Sequence, residues 1–367
     1  MSTRKYRYMF TGFYGMRNFG DDLFSSISSH GAAKYWNENN VKIIGPKVDN
    51  SNVYYSIPNE KMLNIYSSHG FLGKSYRLWN SLSNAINSET VVYSGGSLFS
   101  NVSSSVREFV DSYSGAQLFA LGVSVGPFIN SHDELKVKQK LSKFKYISVR
   151  DKTSFDIVNS FDLDSKIVQS CDLAGLIPEI YNFHKEDSDF IKVGFSPCNN
   201  VNNPEEMRSF CEDFYNSILK LSKFINLEVT LFNLNTHSII GDQKLNNRLY
   251  YRLINSGINC KIISYSSCGI EKTISLINNL DLMVSARLHG AVAAYTLKVP
   301  YILYEYHKKC EEFNLFVGND KGLSLKNNSM YRSISYALNN PTTTVLSTEE
   351  YCQKSRLNFI EAPINGK

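Results

Sequence analysis

Short apolar segments alternate with helical patterns along almost the whole chain, and this alternation limits the possible folds more than any other feature. Residues 6–10 are typical, because a Gly-rich loop and then a helical pattern at 21–36 follow them. Strands that alternate with helices form βαβ units, whose strands lie parallel in a sheet covered by helices. The sequence therefore predicts an α/β fold. Strands are expected at residues 6–10, 41–44, 90–93, 117–123, 145–149, 167–170, 192–196, 227–231, 261–264, 282–285 and 301–304.

One polar stretch, YNFHKEDSD at residues 181–189, interrupts the alternation. A chain of 367 residues is also too long for a single core of ordinary size. We therefore expect two Rossmann-like domains that face each other across a cleft, at residues 1–182 and 190–345. Residues 346–367 are expected to form a C-terminal helix that packs back across the junction.

Composition and charge exclude several classes of protein. The net charge of +5 comes from dispersed Lys and Arg residues, not from the dense basic stripe typical of nucleic-acid binding. It supports only a preference for anionic substrates or an anionic membrane face. We find no apolar run long enough to span a bilayer and no signal peptide, so we expect a cytoplasmic protein with at most peripheral contact at the inner face of the membrane. The seven Cys show no CxxC spacing, and neither a metal nor a cofactor is expected.

The strongest group of polar residues follows the predicted strand at 282–285, where Arg287 and His289 are spaced by two. If the chain is still extended there, both side chains point the same way. Gly290 then opens a helix of small residues, whose free N–H groups would face the same spot. A guanidinium fork matches phosphate and carboxylate groups, and a histidine can exchange protons near neutral pH. The pattern predicts an anion pocket with an acid–base group beside it.

Two lysines, Lys308 and Lys309, follow the next predicted strand. Because loops after neighbouring parallel strands lie at the same edge of a sheet, this pair favours an anion site. Lysines that begin a surface helix are usually solvated, so at least one of the two is expected to take no part in the pocket. A structural interpretation stays open, in which Arg287 pairs with a carboxylate and His289 is an ordinary half-buried histidine. The lysines favour the anion site.

Five motifs in the right order, spanning about residues 8–318, resemble those of the polysaccharide pyruvyl transferase family. Ser94 and Ser124 replace glycines that are usual in this family, and we expect them to make the two turns less permissive. The motifs are GFYGMRNFGDD (12–22), SGGSL (94–98), GVSVGP (122–127), VRDKTS (149–154), and RLHG (287–290) with KVP (298–300) and a Y-x-x-K-x-x-x-F segment (306–313) after it.

The resemblance implies a pair of Rossmann-like domains of the glycosyltransferase-B type (GT-B-like) and a transferase without a cofactor. Such an enzyme takes pyruvate from phosphoenolpyruvate and forms a pyruvate ketal on a sugar of a cell-surface polysaccharide, such as a capsule, or of its lipid-linked precursor. The N-terminal domain would then hold the acceptor and the C-terminal domain the donor. The residues implied are catalytic His289 and Arg287, donor-binding Arg150, Arg287, His289, Gly290 and Lys309, and acceptor-binding Asn18, Asp21, Gly95 and Gly96.

Several alternatives remain open from the sequence. Arg150 either clamps the donor or pairs with a neighbouring carboxylate, and Asp21 either lines the acceptor side or only caps the helix that follows it. A GT-B glycosyltransferase that uses a nucleotide sugar would need a late Glu, for which Glu305 or Glu311 could serve. A homologue that only binds sugars or anions is the third possibility. The G-x-S-x-G pattern at 122–126 matches a hydrolase nucleophile elbow, but no convincing helix follows it.

Overall fold

The computed structural model describes residues 4–48, 53–57, 60–67, 70–99, 105–199, 203–238, 240–319, 329–340 and 344–364. In this part of the chain the strands are β1 (Tyr6–Thr11), β2 (Val41–Pro46), β3 (Tyr54–Ile57), β4 (Ser88–Phe99), β5 (Gln117–Val125), β6 (Tyr146–Val149), β7 (Lys166–Gln169), β8 (Ile191–Ser196), β9 (Leu227–Asn233), β10 (Asn259–Ser264), β11 (Leu282–Ser285) and β12 (Tyr301–Leu303). The α-helices are α1 (Phe19–Tyr35), α2 (Glu60–Ser67), α3 (Phe71–Ile86), α4 (Ser105–Tyr113), α5 (Ser131–Leu141), α6 (Lys152–Ser160), α7 (Ile177–Ile180), α8 (Pro204–Leu221), α9 (Gln243–Asn255), α10 (Tyr265–Asn278), α11 (Leu288–Thr296), α12 (Lys308–Val317), α13 (Met330–Asn339) and α14 (Thr348–Ile360). The predicted α/β class is confirmed.

The first sheet has the order β3-β2-β1-β4-β5-β6-β7, and its paired strands are parallel. Strands β1, β5 and β6 are almost continuously buried, as expected for strands inside a parallel sheet that is covered on both faces. Tyr93, Phe99 and Phe144 pack against one another in its core, with ring centroids 5.4–5.7 Å apart. The order of the strands reverses between β1 and β4, which is where open α/β sheets bind ligands.

The second sheet has the order β10-β9-β8-β11-β12 and is also parallel. Its core includes Phe195, Phe210 and Phe214, whose rings stack at 4.0 and 5.1 Å. The order of these strands reverses between β8 and β11, where Ser196 pairs with Ser285 at the carboxyl ends. The polar residues that follow these two strands therefore lie at the switch point of the sheet.

The chain divides into two compact units, each built around one sheet. The first unit comprises Met1–Met16, Asp21–Leu176 and Cys352–Lys367, and the second comprises Arg17–Gly20 and Ile177–Tyr351. Helix α14 packs its end into the first unit, where Phe359 contacts Trp36 at a centroid distance of 5.4 Å. Residues 365–367 of the predicted C-terminal segment lie outside the described residues.

Several predicted boundaries are wrong. Strand β4 does not end at residue 93 but continues to Phe99, and strand β3 was not expected at all. Helix α11 begins at Leu288 and not at Gly290, because the chain turns directly after Arg287. Within the described residues, no helix combines the length and apolar character needed to cross a bilayer.

Candidate functional site

Arg287 lies at the switch point of the second sheet, between the end of β11 and the start of α11. Its Nε donates to Oδ2 of Asp242 at 3.2 Å, and its Nη2 donates to Oδ1 of the same carboxylate at 2.5 Å. The carboxylate is fully buried, whereas the arginine side chain is 17% exposed. Nη1 donates to no residue that the structure describes. The guanidinium is therefore held along one edge and keeps one nitrogen available for a ligand.

Asp242 connects the ends of three neighbouring strands. Besides Arg287, it accepts the backbone N–H of Asn235 after β9 at 2.9 Å and that of Asn199 after β8 at 3.2 Å. Burial raises the pKa of Asp242, and the charge of Arg287 together with these N–H donors opposes that rise. No sequence pattern predicted a role for Asp242. A Gly-Asp pair just before a helical pattern is typical of a helix N-cap, yet the Asp242 side chain makes no capping bond to α9.

Residues Arg17–Gly20 are part of the second unit, although Phe19 and Gly20 begin helix α1, whose other residues belong to the first unit. Asn18 forms an antiparallel bridge with Asn235. The N–H of Phe19 donates to the carbonyl of Leu234 at 2.8 Å. The segment therefore adds a short stretch of backbone to the loop after β9. The resemblance assigns Asn18 to the acceptor side. In the structure Asn18 pairs with Asn235, whose N–H donates to the Asp242 carboxylate that holds Arg287.

His289 packs directly on Gly20. A Cβ atom built on Gly20 would lie 1.9 Å from Nδ1 and 2.4 Å from Cγ of the imidazole. Only a residue without a side chain leaves room for the ring in this position. The glycine of the N-terminal motif and the histidine of the C-terminal motif, remote in sequence, thus form one contact.

Gly290 has a packing role and does not offer the free N–H that the sequence suggested. Its N–H donates to the carbonyl of Arg287 at 3.0 Å, inside the first turn of α11. A Cβ on Gly290 would lie 2.5 Å from Oγ of Ser285. That hydroxyl donates to the carbonyl of Arg287 at 2.7 Å and accepts its N–H at 3.0 Å, so Gly290 leaves space for the group that fixes the Arg287 backbone.

Lys309 follows β12, the strand that pairs with β11. It lies in the first turn of α12, where its N–H donates to Nδ1 of the capping residue His307 at 3.3 Å. Burial, and then the charge of Lys309, lower the pKa of His307. Lys308 points to Glu312, one turn along the helix, at 3.5 Å. Of the two predicted lysines, Lys308 is therefore occupied by a surface ion pair.

Cys198 and Tyr306 lie close enough to Arg287 to interact with its charge. The thiol of Cys198 donates to the hydroxyl of Tyr306 at 3.3 Å. Burial raises the pKa of Tyr306 well above its ordinary value, so the phenol stays neutral. All seven cysteines are free thiols. In the described part of the chain, no group of three or more His, Cys, Asp or Glu side chains could hold a metal ion.

Arg150 lies in the first unit and is held by three side chains. Its Nε donates to Oγ of Ser124 at 2.7 Å, its Nη1 to Oδ2 of Asp172 at 2.8 Å and its Nη2 to Oγ of Ser97 at 3.3 Å. The side chain is only 7% exposed. Of the two alternatives left open by the sequence, the structure shows the pairing with a neighbouring carboxylate.

Gly95, Gly96 and Asp21 lie together at the switch point of the first sheet. Both glycines have positive φ, 73° and 78°. A Cβ on Gly95 would lie 2.4 Å from the ring of Phe24 on α1, so this glycine allows helix and strand to approach closely. Gly96 is the more open of the two, because a Cβ there would meet Oδ1 of Asp21 only at 3.7 Å.

Ser94 and Ser124 do not restrict their turns, contrary to expectation. Neither has a positive φ, and the left-handed positions beside them are occupied by Gly95 and Gly122. Each hydroxyl is used, since Ser94 bonds to the hydroxyl of Ser28 and Ser124 donates to Oδ2 of Asp151 at 2.8 Å. Ser124 also lies inside β5 rather than on a strand-to-helix turn, which excludes a nucleophile elbow.

Comparison with known proteins identifies the family. The sequence model of the polysaccharide pyruvyl transferases matches residues 18–308, which include both Asn18 and the RLHG motif. The chain belongs to the polysaccharide pyruvyl transferase family. No curated protein sequence matches it significantly.

Solved structures similar to this member of the family include UDP-N-acetylglucosamine 2-epimerases and a glycosyltransferase. A UDP-N-acetylglucosamine 2-epimerase aligns over 100% of this chain and 99% of its own, with TM-score 0.62 and 8% identity. A putative enzyme of the same name from Listeria monocytogenes covers 97% and 94%, with TM-score 0.59 and 8% identity. A glycosyltransferase from Rickettsia africae covers 97% and 94%, with TM-score 0.51 and 12% identity. These are GT-B enzymes, and at such low identity they establish the fold alone, which confirms the predicted GT-B-like class.

Proposed function

We propose that this pyruvyl transferase uses phosphoenolpyruvate as its donor and forms a pyruvate ketal on a sugar hydroxyl pair. The observation that carries the proposal is the state of Arg287, whose guanidinium is fixed by Asp242 and has Nη1 bonded to none of the described residues. A fixed, partly buried arginine with an available nitrogen suits a small, multiply charged anion. His289 lies two residues further on, in the first turn of the next helix.

Donor binding would depend on charge neutralisation. Phosphoenolpyruvate carries a carboxylate and a phosphate, and Arg287 can bind one of these groups through Nη1. Lys309, in the first turn after the adjacent strand, would supply further positive charge. Because Asp242 and its two backbone donors are already in place before the ligand arrives, little reorganisation would be required.

His289 is proposed to be the acid–base group. A proton delivered to C3 of phosphoenolpyruvate converts the methylene carbon into a methyl group and makes C2 electrophilic. One sugar hydroxyl adds to C2 and loses its proton, the C2–O bond to phosphate breaks, and a second hydroxyl adds to C2 and loses its proton. One of the two hydroxyl protons replaces the one given to C3, and the other leaves with inorganic phosphate. The histidine must therefore first donate and then accept a proton.

The acceptor is proposed to be a sugar of a cell-surface polysaccharide or of its lipid-linked precursor, in the cytoplasm. Asn18 supports an acceptor role because its segment contacts His289 through Gly20. Asp21, Gly95 and Gly96 support one because they lie at the switch point of the first sheet.

The experiment is a phosphate-release assay with phosphoenolpyruvate against galactose-, glucose- and aminosugar-containing acceptors, with the ketal product identified by mass and NMR. We expect acceptor-dependent phosphate release in the wild-type protein and in His132→Ala, which changes an exposed histidine of α5. Nucleotide release from sugar nucleotides, without phosphate release from phosphoenolpyruvate, would instead identify a glycosyltransferase. Binding of sugar or phosphoenolpyruvate without turnover on any acceptor would identify an inactive homologue.

A further inference from the structure

Helix α3 exposes large apolar side chains to solvent. Phe71 is 83% exposed, Leu72 77% and Trp79 64%, and Ile86 at the end of the helix is exposed as well. Clusters of this kind are uncommon on the surface of a soluble domain and mark an interaction surface. Leu72, Trp79 and Ile86 are spaced by seven residues, so they lie along one line of the helix, with Phe71 beside its start. We call these four residues the α3 face.

The α3 face is not needed to hold the helix to the first unit. The side of α3 that faces the protein buries Gly73, Asn80 and Ala85. Asn80 donates to Oγ of Ser56 at 2.9 Å. Leu78 and Leu82 pack partly against the core of the first sheet. The bulkiest apolar residues of the helix thus point away from the core that they would be expected to fill.

Charge indicates what covers the face. Helix α3 contains Lys74 and Arg77 but neither Asp nor Glu. Lys74 is exposed and lies one turn after Phe71, whereas Arg77 is half-buried and donates to the carbonyl of Tyr66. Aromatic and Leu side chains beside cationic ones are typical of helices that lie in the interface of an anionic bilayer. A second copy of the same face would bring like charges together without an acidic partner on the helix. We propose that the α3 face docks on the surface of an anionic lipid bilayer.

The two tryptophans of the chain make this measurable with the unmodified protein. Trp36 is only 5% exposed, and its indole N–H donates to the carbonyl of Phe359 at 2.8 Å, so its emission should not respond to vesicles. Trp79 lies in the α3 face. We expect a blue shift of the emission on addition of vesicles of phosphatidylglycerol and phosphatidylcholine, and a much smaller one with phosphatidylcholine alone.

Matched variants test whether the α3 face is responsible. Phe71→Ser with Leu72→Ser should weaken binding to the anionic vesicles roughly tenfold or more, because both side chains would lose apolar contact with the lipid. Lys74→Gln should weaken it about fivefold. Ile129→Ser removes an equally exposed apolar side chain outside α3 and should change binding less than about twofold.

Three results would overturn the proposal. They are an unchanged Trp79 emission with anionic vesicles, an equal loss of binding in Ile129→Ser, and a blue shift that depends on protein concentration without any lipid, which would indicate self-association. No substrate is present in these measurements, so their outcome is independent of the proposed transferase reaction.

Discussion

Arg150 of the first unit and Arg287 of the second unit have the same local setting and different surroundings. Each follows a strand, precedes a helix and pairs with a buried aspartate. All three nitrogens of Arg150 donate to protein side chains, and the residue is 7% exposed. Two nitrogens of Arg287 donate to Asp242, and the residue is 17% exposed. The difference is one guanidinium nitrogen.

This difference in available nitrogens predicts different roles for the two arginines. An arginine with all its nitrogens held by the protein can accept a ligand only by breaking existing bonds, whereas Arg287 can add one. The proposed function assigns donor binding to Arg287, and the difference predicts that Arg150 instead stabilises the first sheet. The residues two positions later differ in the same sense, because His289 packs on Gly20 while Lys152 is exposed and pairs with Asp156.

The largest effect is expected for His289→Ala. Without the acid–base group, kcat should fall by about 10²–10⁴, because proton transfer to and from the reacting groups would depend on water. Thermal unfolding should change little, since the side chain is only partly buried. Steady-state kinetics of phosphate release measure the effect. Lys152→Ala is the matched control at the corresponding position, and equal losses in both variants would refute the role of His289.

Arg287→Lys should mainly weaken binding of the donor phosphoenolpyruvate. An ammonium group cannot both pair with Asp242 along two bonds and contact the ligand, so KM for phosphoenolpyruvate should rise roughly 10- to 100-fold while kcat changes less. Titration of the free enzyme with phosphoenolpyruvate provides an independent measure of the same loss. An unchanged constant would show that Arg287 is as structural as Arg150.

The mirror substitution sharpens the comparison. Arg150→Lys removes at least one of the bonds to Ser97, Ser124 and Asp172, which should lower the stability by about 2 kcal/mol. KM for phosphoenolpyruvate should stay the same. A rise of KM in this variant comparable with that of Arg287→Lys would restore Arg150 as a second donor clamp.

Gly20→Ala tests whether His289 requires its contact with the N-terminal motif. The new Cβ would lie 1.9 Å from the ring, so the imidazole must move, and we expect kcat to fall about tenfold. Gly70→Ala adds a Cβ where no atom lies within 4 Å and serves as the control. Full activity in Gly20→Ala would mean that the position of the ring is unimportant.

Local sequence patterns predicted where most strands end, but not which residues bond to the side chains at those ends. The predicted strand at 282–285 coincides with β11, and the short apolar run was sufficient to place Arg287 just after its end. Asp242 is separated from Arg287 by 45 residues, and nothing near it distinguishes it from a helix cap. A buried pair of this kind depends on which loops the sheet order brings together, and no local pattern contains that order.

The position of Asn18 and Gly20 shows the same limit over a longer distance. Their motif follows β1 of the first sheet, yet the backbone of Arg17, Asn18 and Phe19 pairs with the loop after β9, more than 200 residues later. Propensity could predict a Gly-rich loop there, but not that the loop belongs to the second unit. Sequence patterns identified the motif, and only the fold connects it to His289.

The smallest effect is expected for Ser124, which replaces a glycine that is usual in the family and was predicted to restrict a turn. Its hydroxyl accepts Nε–H of Arg150 and donates to Asp151, the residue that caps α6. Ser124→Ala should therefore cost about 1–2 kcal/mol of stability, because the buried Nε–H would lose its acceptor. Thermal or urea unfolding measures this loss.

Steady-state kinetics of Ser124→Ala test whether Arg150 is purely structural or can also bind the donor. If Arg150 is purely structural, Ser124→Ala leaves KM for phosphoenolpyruvate unchanged, because the remaining bonds to Asp172 and Ser97 still hold the guanidinium away from a ligand. A released Nε–H that tightened donor binding would lower KM instead. In that case the bond from Arg150 to the Ser124 hydroxyl would be what prevents Arg150 from binding the donor. Arg150 and Arg287 would then differ only in how many of their guanidinium nitrogens are already bonded to the protein.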